Sequence, residues 1–208
     1  MIKNSILIKN AKIVNEGKVI ESDVRIIGQR ISHIAQEISA TENDCVTDAN
    51  GMYLLPGMID DQVHFREPGL THKGTIASES LAAVAGGITS YMEMPNVNPA
   101  TTSIEALEKK YEIASKKSMA NYSFYMGATE ENLDQIKLLN PKKHCGVKVF
   151  MGASTGDLLV ENPQALEAIF RESPALIVTH CESGPIISKN LELIRSQGRI
   201  AFIGIFLG

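Results

Sequence analysis

The amino-acid sequence predicts an α/β protein in which a small β module precedes a series of βα units. Over the first 55 residues, short runs alternate apolar and polar positions and are separated by Gly, Asn and Asp, which is the pattern of consecutive short strands. From Pro56 onward, apolar runs rich in β-branched residues alternate with helical segments in units of about 30 residues. This alternation is typical of a parallel sheet or barrel.

Five strands and four helices can be assigned in the second part of the chain. The strands are predicted near residues 58–65, 88–94, 120–126, 145–151 and 175–181. Helical periodicity lies between them, at residues 76–86, 104–117, 130–139 and 163–172. Thr102 and Glu105 fit a capping box for the second helix, and Asn162 followed by Pro163 fits the first turn of the fourth.

The last part of the chain predicts a fifth helix at residues 184–197 and then an apolar run. A closed (β/α)8 barrel needs eight strands, whereas five are counted here, or six if residues 200–207 form one. We therefore expect a β module at 1–55 and the first five or six βα units of a truncated barrel at 56–208. A smaller, naturally open α/β sheet is the alternative.

Composition excludes several classes of partner. The chain has 20 Lys and Arg against 24 Asp and Glu, a net charge of −4, so we expect neither a nucleic acid nor an anionic membrane but a small molecule. The N-terminus lacks the apolar stretch of a signal peptide, and no apolar run approaches the roughly 18 residues that span a bilayer, which predicts a cytoplasmic protein. Three cysteines without CxxC spacing indicate neither a disulfide framework nor a thiolate zinc site.

The first predicted barrel strand carries polar residues at alternate positions. Residues two apart in a strand point to the same face, and this row approaches the C-terminal end of the strand, where barrel enzymes keep their active sites. Each polar group buried without a partner costs about 1–3 kcal/mol, so we expect a metal ion or an anionic ligand there. The residues of the row are Asp60, Gln62, His64 and Arg66.

The segment PGMIDDQVHFREPG, residues 56–69, resembles the first-strand signature of dihydroorotases, hydantoinases and allantoinases. Together with EMPN at residues 93–96, it looks specifically like the dihydroorotase family. The resemblance covers residues 1 to about 197. It implies an α/β fold made of a partial (β/α)8 TIM barrel of the amidohydrolase type, preceded by a small N-terminal β-sandwich module.

The resemblance also implies a metal centre. The family's first strand usually reads His-x-His, both ligands of a divalent metal that is normally Zn²⁺. His64 matches the second histidine, whereas Gln62 stands where the first is expected. Because glutamine offers only a neutral amide oxygen to an ion that prefers imidazole, we expect this metal position to be weakened or differently filled.

Two later residues match further metal ligands of the family. Lys148 lies inside the apolar fourth strand, and it corresponds to a lysine that is often carbamylated by CO₂ and then bridges two metals. His180, at the end of the fifth strand, corresponds to a ligand of the second metal, with a purely structural histidine as the alternative. The resemblance implies one or two Zn²⁺ per subunit and leaves open whether Lys148 is carbamylated.

Arg66 and Asn96 are the candidate substrate-binding residues. A guanidinium can make two parallel charge-assisted hydrogen bonds to a carboxylate, and Asn96 follows the second strand at the same rim. The resemblance implies that this pair holds the carboxylate of dihydroorotate or carbamoyl-aspartate. The alternative is that Arg66 forms a surface ion pair with Glu67 and that Asn96 is a turn residue.

The resemblance implies dihydroorotase activity, the metal-dependent and reversible hydrolysis of dihydroorotate to N-carbamoyl-aspartate in pyrimidine biosynthesis, with a homo-oligomer as the expected assembly. The family's catalytic aspartate follows the eighth strand and has no counterpart here, so we expect this chain alone to be inactive. The alternatives are another cyclic amidohydrolase, such as an allantoinase or dihydropyrimidinase, a non-catalytic partner of aspartate transcarbamoylase, and a decayed product that does not fold.

Overall fold

The computed structural model describes residues 5–151 and 158–181 and the backbone of residues 200–202. The chain divides into two compact units, Met1–Gly57 and Met58–Gly208. That these units correspond to the two domains expected from the sequence remains a prediction. No helix in the described ranges is both long and apolar enough to cross a bilayer.

From Ser5 onward, the first unit contains one mixed five-stranded sheet in the order β3-β2-β1-β4, with β5 also paired to β1. Its strands are β1 (Ser5–Asn15), β2 (Lys18–Ile27), β3 (Arg30–Ala35), β4 (Asp44–Asp48) and β5 (Tyr53–Leu54). Glu16 and Gly17 join β1 to β2, both at positive φ (49° and 73°), as a tight two-residue hairpin turn requires. Because β1 pairs antiparallel with β2 but in parallel with β4 and β5, the sheet is mixed.

Asp44 fixes the start of β4 through an almost fully buried carboxylate. Its oxygens accept hydrogen bonds from Arg25 Nε and Nη2 at 3.1 and 2.7 Å, from the Ser5 hydroxyl at 2.6 Å and from the amide of Thr41 at 2.8 Å. The Arg25 guanidinium, with these neutral donors, holds the pKa of Asp44 well below its ordinary value of 3.8. The charged carboxylate therefore ties β1, β2 and β4 together.

Within its described residues, the second unit contains six parallel strands in the order β11-β10-β9-β8-β7-β6. Its elements are β6 (Met58–Val63), α1 (Ile76–Ala85), β7 (Ile88–Glu93), α2 (Ile104–Lys117), β8 (Asn121–Gly127), α3 (Leu133–Lys137), β9 (Gly146–Phe150), α4 (Pro163–Glu172), β10 (Ile177–His180) and β11 (Ile200–Phe202). Spatial order follows chain order without reversal, as in the wall of a (β/α)8 barrel. The predicted partial barrel with a separate N-terminal β module is confirmed, while the predicted helix at 184–197 lies outside the described residues.

Two details differ from the sequence pattern. β6 ends at Val63 rather than at residue 65. The N-cap of α2 is Ser103, whose side chain accepts from the Ala106 amide, so the predicted capping box of Thr102 and Glu105 is wrong. The cap of α4 is as predicted, because the Asn162 side chain accepts from two amides of the first turn.

The main core of the second unit lies between the sheet and its helices. It contains Tyr91, Phe124 and Val149 from the strands and Leu107 and Ile169 from the helices, each almost inaccessible to solvent. A smaller apolar cluster of Met94, Tyr125 and Val178 occupies the other face of the sheet. The central strands β9 and β10 are thus buried on both faces, which explains why they read as nearly continuous apolar runs.

A substitution at Gly146 tests how closely β9 approaches the residue before β10. A Cβ atom added at Gly146 would lie 2.4 Å from the carbonyl oxygen of Leu176, whereas one added at Gly86, after α1, would lie no closer than 3.5 Å to its neighbours. We expect Gly146→Ala to lower the free energy of unfolding by about 1–3 kcal/mol, since the strands must separate. Gly86→Ala, the control, changes it little; chemical denaturation measures both, and equal effects would contradict this explanation.

The lowered pKa of Asp44 predicts that the first unit loses stability in acid. Because its folded-state pKa is depressed, its stabilisation is complete above the ordinary pKa of 3.8 and is lost as the pH falls below that value. We expect Asp44→Asn to weaken the unit at neutral pH and to flatten its loss of stability in acid. Hydrogen exchange of the β1 and β2 amides between pH 7 and pH 3 measures this, with exposed Glu42→Gln as the control. An unchanged pH profile in Asp44→Asn would refute the assignment.

Candidate active site

The end of β6 positions three of the predicted site residues. Its pairing with β7 is irregular between Asp60 and Val63, where the strand ends. Gln62 lies inside β6, whereas His64 and Arg66 lie in the segment that follows this strand. Arg66 has a φ of 71°, so the two-residue alternation of a regular strand does not extend to the end of the predicted row.

His64 and Asn96 are in direct contact. His64 Nδ1 lies 2.9 Å from Asn96 Oδ1. An amide oxygen can only accept, so this contact assigns the ring proton to Nδ1 and leaves the Nε2 lone pair available to a ligand. Although His64 is exposed to solvent among the described residues, partial desolvation of its ring and the positive charge of Arg66 lower its pKa below 6.5, which favours the neutral form.

Arg66 lies beside the same residue. Its Nη1 is 3.4 Å from the backbone oxygen of Asn96, and its backbone N–H donates to Glu93 Oε1 at 3.0 Å. The 3.4 Å contact is long, so most of the hydrogen-bonding capacity of the guanidinium remains for another acceptor. Arg66, Asn96 and His64 therefore form one cluster at the carboxyl ends of β6 and β7.

Glu67 is not the partner of Arg66. Its buried carboxylate accepts from the Ile76 amide at the start of α1 at 2.9 Å and pairs with Lys117 Nζ at 2.5 Å. The surface ion pair between Arg66 and Glu67, the alternative raised by the sequence, is therefore absent from the described structure. Glu67 instead anchors the segment after β6 to two helices.

Gln62 has an unsatisfied buried atom. Its Oε1 is buried without a hydrogen-bond partner among the described residues. Its backbone N–H donates to Asp60 Oδ1 at 3.1 Å. A buried acceptor without a partner is destabilising unless a ligand satisfies it, and a divalent cation is one such ligand.

Lys148 is buried in the middle of β9, with about 1% of its surface exposed. In the described ranges no carboxylate lies within ion-pair distance of its ammonium, which stands 5.1 Å from the centroid of the Phe150 ring. Burial lowers the pKa of Lys148 from 10.5 to about 8. A buried lysine of this kind is more reactive than a solvated one, because more of it carries a neutral amine near neutral pH.

His180 ends β10, where it pairs in register with Phe150 of β9. Its carbonyl oxygen accepts from the Met151 amide at 2.9 Å, and its ring centroid lies 5.8 Å from that of Phe150. His180 and Lys148 are thus on adjacent strands of one sheet. The positive charge of Lys148 also lowers the pKa of His64, which links it to the cluster at the ends of β6 and β7.

A cleft of about 980 Å³ opens beside Arg66 and Asn96. Its walls also include Lys73, Thr102 and Leu158. The candidate metal ligands do not line this cleft in the described part of the chain. The cleft therefore adjoins the candidate carboxylate-binding residues rather than the candidate metal ligands.

The described residues supply only part of a conventional metal site. No three His, Cys, Asp or Glu side chains among them are grouped closely enough to hold an ion. The candidate donors in this part of the chain are Gln62 Oε1, which has no hydrogen-bond partner among the described residues, His64 Nε2, the Lys148 amine and the His180 ring. These fit a divalent cation in chemical type, with one neutral oxygen and two imidazoles, but lack a carboxylate unless Lys148 acquires one.

Sequence reasoning missed two buried charged residues next to the cluster of Arg66, Asn96 and His64. Glu93 of β7 and Lys110 of α2 are each exposed by 1% or less, and Lys110 Nζ lies 2.8 Å from Glu93 Oε2. A signal was present, because Lys110 falls on the apolar stripe of its helix, three residues after Leu107 and four before Ala114. A charged residue on a buried stripe indicates a buried partner.

Comparison with known proteins gives the family. Residues 51–151 match the model of the dihydro-orotase-like family. The chain is 32% identical over 202 residues to the allantoinase of Deinococcus radiodurans, covering 93% of this chain and 44% of that protein. It is 34% identical over 187 residues to the dihydroorotase of Enterococcus faecalis, covering 87% of this chain and 43% of that protein.

A solved structure supports the same assignment. The L-hydantoinase of Arthrobacter aurescens superposes with a TM-score of 0.80 at 28% identity, over 93% of this chain and 44% of that one. The chain spans less than half the length of the relatives that it matches. The chain therefore carries, over residues 51–151, a domain of the dihydro-orotase-like family of amidohydrolases.

Proposed function

We propose that this chain supplies the first part of a dihydroorotase active site, which hydrolyses dihydroorotate reversibly to N-carbamoyl-aspartate in pyrimidine biosynthesis. The observation that carries the proposal is the cluster of Arg66 and Asn96 beside the cleft, adjoining His64. A guanidinium with unused donors suits a carboxylate. Dihydroorotate carries one on its ring, whereas allantoin, hydantoin and dihydrouracil do not.

Asn96 contributes in two ways to the proposed site. Its side-chain oxygen orients the His64 ring, and its backbone oxygen contacts the Arg66 guanidinium. The side-chain NH₂ remains as a donor toward the substrate carboxylate. One residue thus couples the orientation of a candidate metal ligand to that of a candidate substrate-binding group.

We propose that His64, His180 and Lys148 hold one or two divalent cations, with Zn²⁺ as the candidate ion and Gln62 Oε1 as a weak ligand. When bound, such a cation supplies a Lewis acid that polarises the scissile carbonyl and favours ionisation of water. The neutral amine of Lys148 can attack CO₂, forming an N–C bond and releasing a proton, and so become a carboxylate ligand.

A second candidate is a non-catalytic partner of aspartate transcarbamoylase. The observation that favours it is Gln62, a neutral amide where the family resemblance predicts an imidazole. A partner of this kind needs no bound metal, so the number of metal ions per chain distinguishes the two candidates. Assembly into a homo-oligomer and a cytoplasmic location remain predictions from the sequence.

The substrate is tested with this 208-residue chain and with a version extended through the downstream reading frame, each assayed on dihydroorotate, dihydrouracil and allantoin. We expect turnover of dihydroorotate by the extended form alone. Arg66→Gln is expected to lower its kcat/KM by at least about 30-fold, as loss of a buried charge partner typically does. Arg171→Gln, on the exposed face of α4, is the control. A preference for dihydrouracil or allantoin would refute the assignment.

The metal centre is tested by counting zinc per chain after dialysis against limiting zinc. We expect Gln62→His to raise zinc affinity by at least about tenfold, because an imidazole replaces a neutral amide oxygen. His64→Gln is expected to lower occupancy, and His72→Gln, an exposed histidine of the following loop, to leave it unchanged. If neither form of the protein holds zinc even with Gln62→His, the metal proposal is wrong and the partner role takes precedence.

A further inference from the structure

Glu93 and Lys110 form a buried ion pair between β7 and α2. Lys110 Nζ lies 2.8 Å from Glu93 Oε2, and the ammonium stands 4.8 Å from the centroid of the Phe124 ring. Both side chains are exposed by 1% or less. Burial raises the pKa of Glu93 and lowers that of Lys110, while the attraction of each for its partner opposes these shifts.

Each residue of the pair also forms a hydrogen bond with the backbone next to the cluster of Arg66, Asn96 and His64. Glu93 Oε1 accepts from the N–H of Arg66 at 3.0 Å, and the backbone of Phe65 also donates to this carboxylate. Lys110 Nζ donates to the carbonyl oxygen of Met94 at 3.2 Å, two residues before Asn96. The pair therefore connects the segment after β6 with the segment after β7.

Arg66 needs such support because of its backbone conformation. Its φ of 71° lies in the left-handed region, which a residue with a Cβ atom disfavours. The hydrogen bond from its N–H to a buried carboxylate holds that conformation and directs the side chain toward Asn96. Without the bond, the residue would be expected to relax toward an ordinary φ and to move its guanidinium.

Core stability alone does not account for the two charges. Burying an ion pair removes both groups from water, and well-packed apolar residues of similar volume are often as stabilising. What apolar residues cannot supply is an acceptor for the Arg66 amide and a donor for the Met94 carbonyl. These two contacts distinguish the pair from ordinary core packing.

We propose that the Glu93–Lys110 ion pair is a positioning element that sets Arg66 and Asn96 at the spacing and orientation that a substrate carboxylate requires. This inference rests on the proposed function, in which these two residues bind the carboxylate of dihydroorotate. Glu93 and Lys110 touch no substrate themselves and act through the backbone of the residues that do.

The test compares a ligand that has the carboxylate with one that lacks it. Affinities for dihydroorotate and dihydrouracil are measured by calorimetric titration of whichever form of the protein binds them, below the onset of unfolding. We expect Glu93→Met, which removes the acceptor of the Arg66 N–H, to lower the preference for dihydroorotate by about tenfold. We expect less than about a twofold change in affinity for dihydrouracil, because only the carboxylate contact is disturbed.

Two further variants keep the test decisive. Glu108→Gln removes a half-exposed ion pair of the same helix, with Lys143, that does not reach the cluster, and it is expected to leave both affinities unchanged. If Glu93→Met does not fold, Glu93→Met combined with Lys110→Met removes both charges and both backbone contacts and leaves no unpaired ion. The same tenfold loss of preference is expected there.

The outcomes separate the two proposals. Equal loss of affinity for both ligands, or an unchanged preference in a less stable variant, overturns the positioning role and leaves the pair a structural feature. Absence of any preference for dihydroorotate in the unmodified protein overturns the proposed function instead. A selective loss of the carboxylate-dependent preference supports the positioning role.

Discussion

The parallel pairing of the strands from β6 to β11 is the constraint on which the candidate site depends. Because neighbouring strands run in the same direction and follow chain order, their carboxyl ends lie along one edge of the sheet. Arg66, Asn96 and His180 are distant in sequence, yet each lies at or just beyond such an end. The helices that return the chain also cover the strands, so the apolar layer beneath this edge is closed to water and favours strong electrostatic contacts.

Two buried lysines of the second unit, Lys110 and Lys148, have different surroundings. Lys110 has a carboxylate partner at 2.8 Å, and its neighbours account for its burial. Lys148 is equally buried, but no carboxylate lies within ion-pair distance of its ammonium in the described part of the chain, and burial lowers its pKa to about 8. The first arrangement neutralises a buried charge with a partner, whereas the second is consistent with the reactive or metal-binding role proposed for Lys148.

The segment between β6 and α1 is held by several elements at once. Glu93 accepts a hydrogen bond from the backbone N–H of Arg66 in this segment. Glu67 accepts from the Ile76 amide and pairs with Lys117. Asn96 contacts both His64 and Arg66. None of these bonds joins neighbours of a regular strand or helix. This segment therefore depends on correct packing of α1 and α2, which couples stability of the barrel wall to geometry of the cluster.

The sequence by itself determined the class of fold and most of its elements, because the periodicities of strands and helices are local. The five predicted strands and four predicted helices of the second unit all appear near their expected positions, although α3 is shorter than its pattern. It also selected Arg66, Asn96 and His64, which the structure brings together. Only the tertiary structure decided that β6 stops at Val63, that Arg66 adopts a positive φ, and that Glu67 bonds to α1 and α2 rather than to Arg66. The physical reason is that these features arise from contacts between residues far apart in the chain, above all the buried pair of Glu93 and Lys110, and pairings of that kind leave little trace in local periodicity.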